Sequence, residues 1–275
     1  MRIGLRRTSP VKTAAGCLLA LLLFWAGLVV WRSPQSYADQ DRTQVAAGVT
    51  PGHPAGTDEL GRDRLVRLSA ALLLGMAGSV CASALATAAS VTLGAGAALA
   101  SPFLGRTVLY LGDLFLTLPW IFLLMMLRAA LPLNFSPMHS AGVTFTLLAI
   151  LGVPTFLRFH YTRASGYIRS EWLLQGRAAG LRPMQIFRQV VPHLRPLIAG
   201  QFLLYVPACI VAEANLGSLG LGISEPLASW GSMLQSLQGS AFTSTSHLIY
   251  LPLALLVLVL TLLEVLASGA DKETS

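Results

Sequence analysis

Charge is what this sequence has least of. Only 11% of its 275 residues are Asp, Glu, Lys or Arg, against about 25% in an ordinary soluble domain. Lysine is almost missing: Lys12 and Lys272 are the only two. No G-x-x-x-x-G-K-[ST] loop can therefore be built, which excludes the usual phosphate cradle for ATP. There is no H-E-x-x-H helix and no nucleophile elbow. Metalloprotease and serine-hydrolase chemistry have nothing to stand on. The three cysteines, Cys17, Cys81 and Cys209, are odd in number and match no metal or redox spacing. They read as small apolar packing residues. The five histidines, at 53, 139, 160, 193 and 247, are scattered. No cofactor or metal site is expected in this chain.

What is present is apolar length. Hydrophobic residues make up 54% of the chain, and the mean hydropathy is +0.66. No charged residue falls in 13–31, 68–105, 129–157, 196–212 or 226–263, and 107–127 carries only Asp113. A helix crossing a hydrocarbon core of about 30 Å needs about 20 apolar residues, and each window can hold one. The fold expected is an all-α polytopic membrane protein of about six transmembrane helices, near 13–31, 70–98, 108–130, 141–160, 197–213 and 247–268. The first run ends Val30-Trp31-Arg32, a poor signal-peptidase site, so an uncleaved first span is expected. Residues 68–105 are rich in Ala, Gly and Ser, which lets membrane helices approach closely. They fit one long tilted helix or a broken one.

Arginine and lysine accumulate on the cytoplasmic side of short loops. Seven arginines (158, 163, 169, 177, 182, 188, 195) face a single acid, Glu171, between 158 and 195, whereas 213–263 has no Lys or Arg. These loops place 161–195 and both termini in the cytoplasm and 32–67 and 214–245 outside. The layout expected is a tail at 1–12, a first span at 13–31, an external segment at 32–67, a five-helix core at 68–268 and a tail at 269–275.

The 161–195 loop is the first place with more than topology to read. Ile168, Trp172 and Ala179 sit at helical spacing, then Gly180-Leu181-Arg182-Pro183 marks the end of one helix and the start of another. Met184, Phe187 and Val191 recur at i, i+3, i+7 until Pro192. Two short amphipathic helices joined by a tight bend are expected. Their apolar stripe either packs on its own helix ends and the membrane interface or docks into a groove of a cytoplasmic partner.

Three separated motifs carry a resemblance. Glu171-Trp172-Leu173-Leu174-Gln175-Gly176-Arg177-Ala178-Ala179-Gly180, with Ile186 and Val191-Pro192 after it, resembles the cytoplasmic signature loop of ABC-importer permeases. His53-Pro54-Ala55-Gly56-Thr57-Asp58-Glu59-Leu60-Gly61-Arg62-Asp63 resembles the element before the second span of oligopeptide, dipeptide and nickel permeases. Leu216-Gly217-Ser218-Leu219-Gly220-Leu221-Gly222, with Ser229-Trp230-Gly231-Ser232-Met233-Leu234, resembles their external segment. Asp113 and Pro119 fall where that family has Asp and Pro in its third span. The similarity runs from about His53 to Leu266. Three departures stand out. The loop's usual Glu-Ala-Ala is Leu174-Gln175-Gly176, Gly180 to Pro192 is one residue short, and the family's basic C-terminal extension is reduced to Asp271-Lys272-Glu273-Thr274-Ser275.

The resemblance implies the fold of a type I ABC-importer permease of a bacterial inner membrane. It implies a second homologous permease, one or two cytoplasmic ATPases that carry ATP and Mg, and an extracytoplasmic solute-binding protein as partners. Coupling to the ATPases would fall to Glu171, Trp172, Arg177, Ala178, Gly180, Met184, Ile186, Phe187 and Pro192. The chain itself would be no enzyme, and peptides are the commonest solutes of such systems, ahead of nickel and small conjugates. Neither nucleic acid nor a resident metal is implied.

The remaining segments keep two readings each. Asp58, Gly61, Arg62 and Asp63 fit a structural lead-in, with i, i+4 pairs Asp58–Arg62 and Asp63–Arg67 worth about 0.3–0.5 kcal/mol each, or a solute contact. The 214–245 segment, with Gly220, Gly222, Ser229, Trp230 and Gly231, is long for a connection and fits a short helix or re-entrant gate. Glu213, at its start, either faces the pathway or reaches water. Asp113 and Glu264 fit structural roles near span ends. A secondary transporter would show ionisable groups inside its spans, which are nearly charge-free here, and a non-transporting scaffold is compatible with composition alone.

Overall fold

The computed structural model describes residues 10–117, 119–130, 136–240 and 247–268. Residues 1–9 of the expected 1–12 tail, the expected tail at 269–275 and residues 241–246 of the expected gate segment lie outside them. The described residues contain ten α-helices: α1 Pro10–Arg32, α2 Arg64–Leu99, α3 Pro102–Thr117, α4 Trp120–Ala129, α5 Pro137–Ile168, α6 Glu171–Ala178, α7 Pro183–Val190, α8 Arg195–Ser218, α9 Trp230–Ser240 and α10 Leu251–Ala267. A 3-10 turn, Val191–Leu194, joins α7 to α8, and a second, His247–Tyr250, leads into α10.

Among the described residues, five helical stretches are long and apolar enough to cross a membrane: Pro10–Arg32, Arg64–Leu99, Pro137–Ile168, Pro183–Ser218 and Leu248–Ala267. The expected span at 108–130 differs. It is broken into α3, of 16 residues, and α4, of 10, with Pro119 between them. Proline has no N–H to give to a helix ladder. Pro154 and Pro207, by contrast, are carried inside α5 and α8. The Ala/Gly/Ser-rich region is helical without a break as far as Leu99, in α2, whose 36 residues reach about 54 Å at 1.5 Å each; α3 begins at Pro102.

The chain forms two compact units. One draws on Met1–Gly78, Asn134–Ala141 and Glu213–Gly269, the other on Ser79–Leu133, Gly142–Ala212 and Ala270–Ser275. In the first, α1 packs along α10. Ala15, Leu19 and Ala26 are buried on α1, and Leu256, Val259, Leu263 and Ala267 on α10. Trp230 is fully buried, and its indole takes the space beside Gly75, where a Cβ would come within 2.7 Å of the ring.

The second unit is tied by polar side chains between its helices. Ser83 Oγ donates to the Phe202 carbonyl at 2.8 Å, and Gln201 Nε2 donates to Ser90 Oγ at 2.9 Å. His160 Nε2 pairs with Gln201 Oε1, and Tyr205 donates to the Leu148 carbonyl at 2.7 Å. With few apolar forces to bring helices together in lipid, such bonds and close packing fix their register. Asp113, expected to have a structural role, forms an ion pair with Arg158. Glu264 is exposed on α10.

Candidate functional sites

The 161–195 loop is built by two helix caps. Ser170, extended at φ −68° and ψ 146°, ends α5 and starts α6 in a new direction. Helix α6 closes with Gly180 N–H donating to the Arg177 carbonyl at 3.0 Å and Leu181 N–H to the Gly176 carbonyl at 3.0 Å. These are the two bonds of a Schellman motif, which needs a left-handed residue between them. Gly180 provides it at φ +89°. Leu181 closes back over Gly176, where a Cβ would stand 2.5 Å from Leu181 Cδ1. The small residue in the departure Leu174-Gln175-Gly176 thus has a local reason. Helix α7 then starts with Pro183 at its first position, and Arg182 N–H donates to Gln185 Oε1 at 2.7 Å.

The two faces of this pair divide differently from the expected stripe. Ile168, Leu173, Ile186, Val190 and Leu194 are buried together with Ala95 and Ala164. Met184, expected in the apolar stripe, is 63% exposed, while Phe187 and Val191 are half-buried. The side chains that do turn inward on α7 and the following turn, 186, 190 and 194, are spaced i, i+4, i+8. Trp172 and Ala179 do not share a stripe with Ile168, because the break at Ser170 starts a separate helix. Pro192 does not end the helical course either; it sits in the 3-10 turn that leads into α8.

The outward face is mixed apolar and basic. Trp172 is 45% exposed, Leu174 49% and Met184 63%, and Glu171, Arg177, Ala178, Arg182, Arg188 and Pro192 are exposed around them. Trp172 is held in place. Its ring lies 5.7 Å from that of His193, which lies 5.2 Å from Tyr167. His193 Nδ1 in turn donates to the Gln189 carbonyl at 2.8 Å.

The 213–234 segment repeats the same cap. Helix α8 ends with Gly220 N–H on the Gly217 carbonyl and Leu221 N–H on the Leu216 carbonyl, both at 2.9 Å, with Gly220 at φ +76°. Helix α9 starts on a reciprocal capping box. Ser232 N–H donates to Ser229 Oγ at 3.2 Å, and Ser229 N–H to Ser232 Oγ at 3.1 Å. Gly231 N–H donates to Glu213 Oε1 at 3.4 Å. Glu213 is fully buried against this helix start. Gly217 and Gly231 approach backbone to backbone, so that a Cβ on either would overlap the other's Cα. Gly222 lies against Gly217 in the same way.

The 53–67 segment, read as a structural lead-in or a solute contact, forms an ion network. Asp58 Oδ2 accepts from Arg62 Nε at 2.7 Å, while Asp58 Oδ1 accepts from the N–H groups of Leu60 and Arg62, both at 2.9 Å. Gly61, at φ +75°, lies against the Asp41 carbonyl. Asp41 itself is held below the usual carboxylate range by the Thr43 hydroxyl and N–H, at 2.6 and 2.9 Å. The expected Asp63–Arg67 pair is not made. Asp63 Oδ1 instead accepts from the N–H groups of Leu65 and Val66, at 2.8 and 3.0 Å, and caps α2; Asp63 Oδ2 pairs with His53 Nδ1 at 2.8 Å. Capping is geometrically closer to hand for a residue just before a helix than an i+4 partner inside it. Arg67 turns to Glu225, at 3.1 Å, and Arg62 reaches the same carboxylate at 2.6 Å. Glu225 was not among the expected site residues. The signal was its isolation, since it is the only charge between Glu213 and Glu264.

Comparison with known proteins places these segments in a family setting. The chain is 26% identical over 269 residues to the oligopeptide transport system permease protein OppC of Mycobacterium tuberculosis, covering 96% of this chain and 90% of that protein. It is 30% identical over 241 residues to the di/tripeptide transport system permease protein DppC of Pseudomonas aeruginosa, covering 82% and 75%. It is 26% identical over 254 residues to the glutathione transport system permease protein GsiD of Pectobacterium atrosepticum, covering 91% and 82%. Residues 90–268 match the family described as the inner membrane component of binding-protein-dependent transport systems, and the chain belongs to that family.

Proposed function

We propose that this chain is a permease subunit of an ATP-driven importer for short peptides, and that 161–195 is its cytoplasmic coupling loop. The observation that carries the coupling reading is the two-sided helix pair. Its inner face is closed by Leu173, Ile186, Val190 and Leu194. The outer face keeps Trp172, Leu174 and Met184 in solvent among Arg177, Arg182 and Arg188. Aromatic and arginine side chains on a pre-shaped surface are the usual anchors of a protein interface. Family membership supports the transport role, and the relatives' names support peptides as solutes.

In this reading both termini are cytoplasmic, the 32–67 and 214–245 segments face outward, and a second permease completes the pathway. A binding protein delivers solute from outside. Two ATPase subunits hold ATP and Mg and move the coupling loops; the chain catalyses nothing itself. A ligand shifts a two-state permease only by contacting the two states differently, and nucleotide-driven closure of the ATPases provides that difference. Glu213, Gly220, Gly222, Ser229, Trp230 and Gly231 shape the outward gate as a packed unit, and Asp58, Gly61, Arg62 and Asp63 anchor the entry to α2.

The test is uptake. The complex that accompanies this chain from native membranes is reconstituted in liposomes with ATP inside, and labelled dipeptide, oligopeptide and glutathione are offered outside with the binding protein. ATP-dependent accumulation of a peptide supports the assignment, glutathione alone would redirect the solute, and an assembled complex that accumulates neither would overturn it.

A further inference from the structure

Two guanidiniums taken out of water need two negative charges nearby. Asp58 serves Arg62 at 2.7 Å and Arg67 at 3.7 Å from within their own segment. One carboxylate leaves the pair a charge short. Glu225 brings the second, 163 residues beyond Arg62 in sequence, reaching Arg62 Nη1 at 2.6 Å and Arg67 Nη2 at 3.1 Å. Arg67 Nη1 also donates to the carbonyls of Tyr37 at 3.2 Å and Pro226 at 3.4 Å.

The partners are unequally placed. The side chains of Arg62 and Arg67 are 8% and 2% exposed, whereas that of Glu225 is 51% exposed. The arginines are fixed by neighbours on their own side of the contact, and the carboxylate is the part that solvent and salt can reach. An exposed ion pair is weak and screened. A buried arginine pair that loses its second acid is left with uncompensated charge. The contact is therefore strong enough to hold and sensitive to charge arriving from solution. It also sits at a useful place. Glu225 lies between the left-handed Gly220 that ends α8 and the Ser229 cap that starts α9, and no other charged residue occurs in 214–263. It is the one ionic tether this connection has.

We propose that Glu225 is a positioning residue for transport: its carboxylate holds the 219–229 connection on the Arg62–Arg67 pair in the absence of solute, and the contact parts when solute enters. The consequence for transport rests on the function proposed above; the tether itself does not.

Two measurements separate these. In the first, spin labels at Leu60 and Leu227 report the distance across the tether in the chain alone, in lipid discs. Wild type is expected to show one short distance, with a longer population growing as salt rises from about 50 to about 500 mM, where screening shortens from roughly 14 to 4 Å. Glu225→Gln is expected to show the longer population several-fold enlarged already at low salt, and Glu225→Asp to stay near wild type. In the second, the assembled complex carrying Glu225→Gln is expected to hydrolyse ATP several-fold faster without solute and to lose most of its stimulation by the binding protein, with Glu225→Asp restoring both.

A Glu225→Gln chain that melts like wild type and keeps the wild-type distances at both salts would overturn the tether. Should Glu225→Gln fail to fold, the salt response of wild type decides: no lengthening means no tether. A distance shift with unchanged solute-free hydrolysis would make Glu225 a structural tie and overturn the positioning role. A complex with no ATPase activity in wild type would overturn the proposed function, while the distance result still judges the tether.

Discussion

Replacing Gly180 should damage transport through backbone conformation and not through collision. Nothing lies within 4 Å of where its Cβ would be, yet its φ is +89°. An L-residue held there costs about 1–2 kcal/mol, and a β-branched one more. Against that strain stand Leu173, Ile186, Val190 and Leu194, all buried, each worth about 1.5–3 kcal/mol of transfer free energy. Packing outweighs strain several-fold. The two helices should therefore stay on their core while the bend between them relaxes and re-aims the outward face. A misalignment worth about 2 kcal/mol in the coupled state corresponds to about thirtyfold in the population able to couple. Asparagine tolerates the left-handed region where alanine does so less and valine least. ATP-driven uptake should fall in the order Gly, Asn, Ala, Val, with membrane insertion and melting temperature of the chain little changed. Wild-type uptake by Gly180→Val would refute the reasoning, and so would Gly180→Asn proving as harmful as Gly180→Val.

The neighbouring leucines should separate folding from docking: Leu173→Ala, at a fully buried position, should cost about 2–5 kcal/mol in thermal unfolding, whereas Leu174→Ala should leave stability alone and weaken ATPase retention on a nickel or affinity column. Trp230→Ala empties the largest fully buried side chain among the described residues and should cost about 3–5 kcal/mol; a loss below about 1 kcal/mol in detergent melts would contradict the packing described. Gln201→Leu strips partners from both His160 and Ser90 and should cost about 1–3 kcal/mol. Combined with Ser90→Ala it should be non-additive, and strict additivity in a double-mutant cycle would show that the two side chains are not coupled.

Membrane character was legible because it rests on length and charge alone, which a sequence states outright. So were the bend at Gly180 and the helix start at Pro183, since backbone chemistry there is local. The break at Pro119 was harder, because Pro154 and Pro207 carry the same residue type inside unbroken helices, and only neighbours decide which proline is tolerated. The stripe expected on α7, Met184, Phe187 and Val191, is less buried than the inward face formed by Ile186 and Val190. Both sets have helical spacing, and what chooses between them is the apolar floor of Ala95, Ala164 and Ile168 from distant parts of the chain. The ion network shows the same limit. The Asp58–Arg62 pair is local and was readable, while the partner of Arg67 is Glu225, 158 residues on. Asp63 was drawn to the α2 cap and to His53, ten residues back, a choice that spacing alone leaves open.

The most direct test of the account is to place a photo-reactive side chain at Met184, on the outward face of α7, and to identify what it captures in native membranes. The account requires an ABC ATPase subunit in the crosslinked product, with capture altered by trapping the ATPase in its nucleotide-bound form. Crosslinks to lipid alone, from a chain shown to be inserted and co-purifying with its second permease, would contradict it.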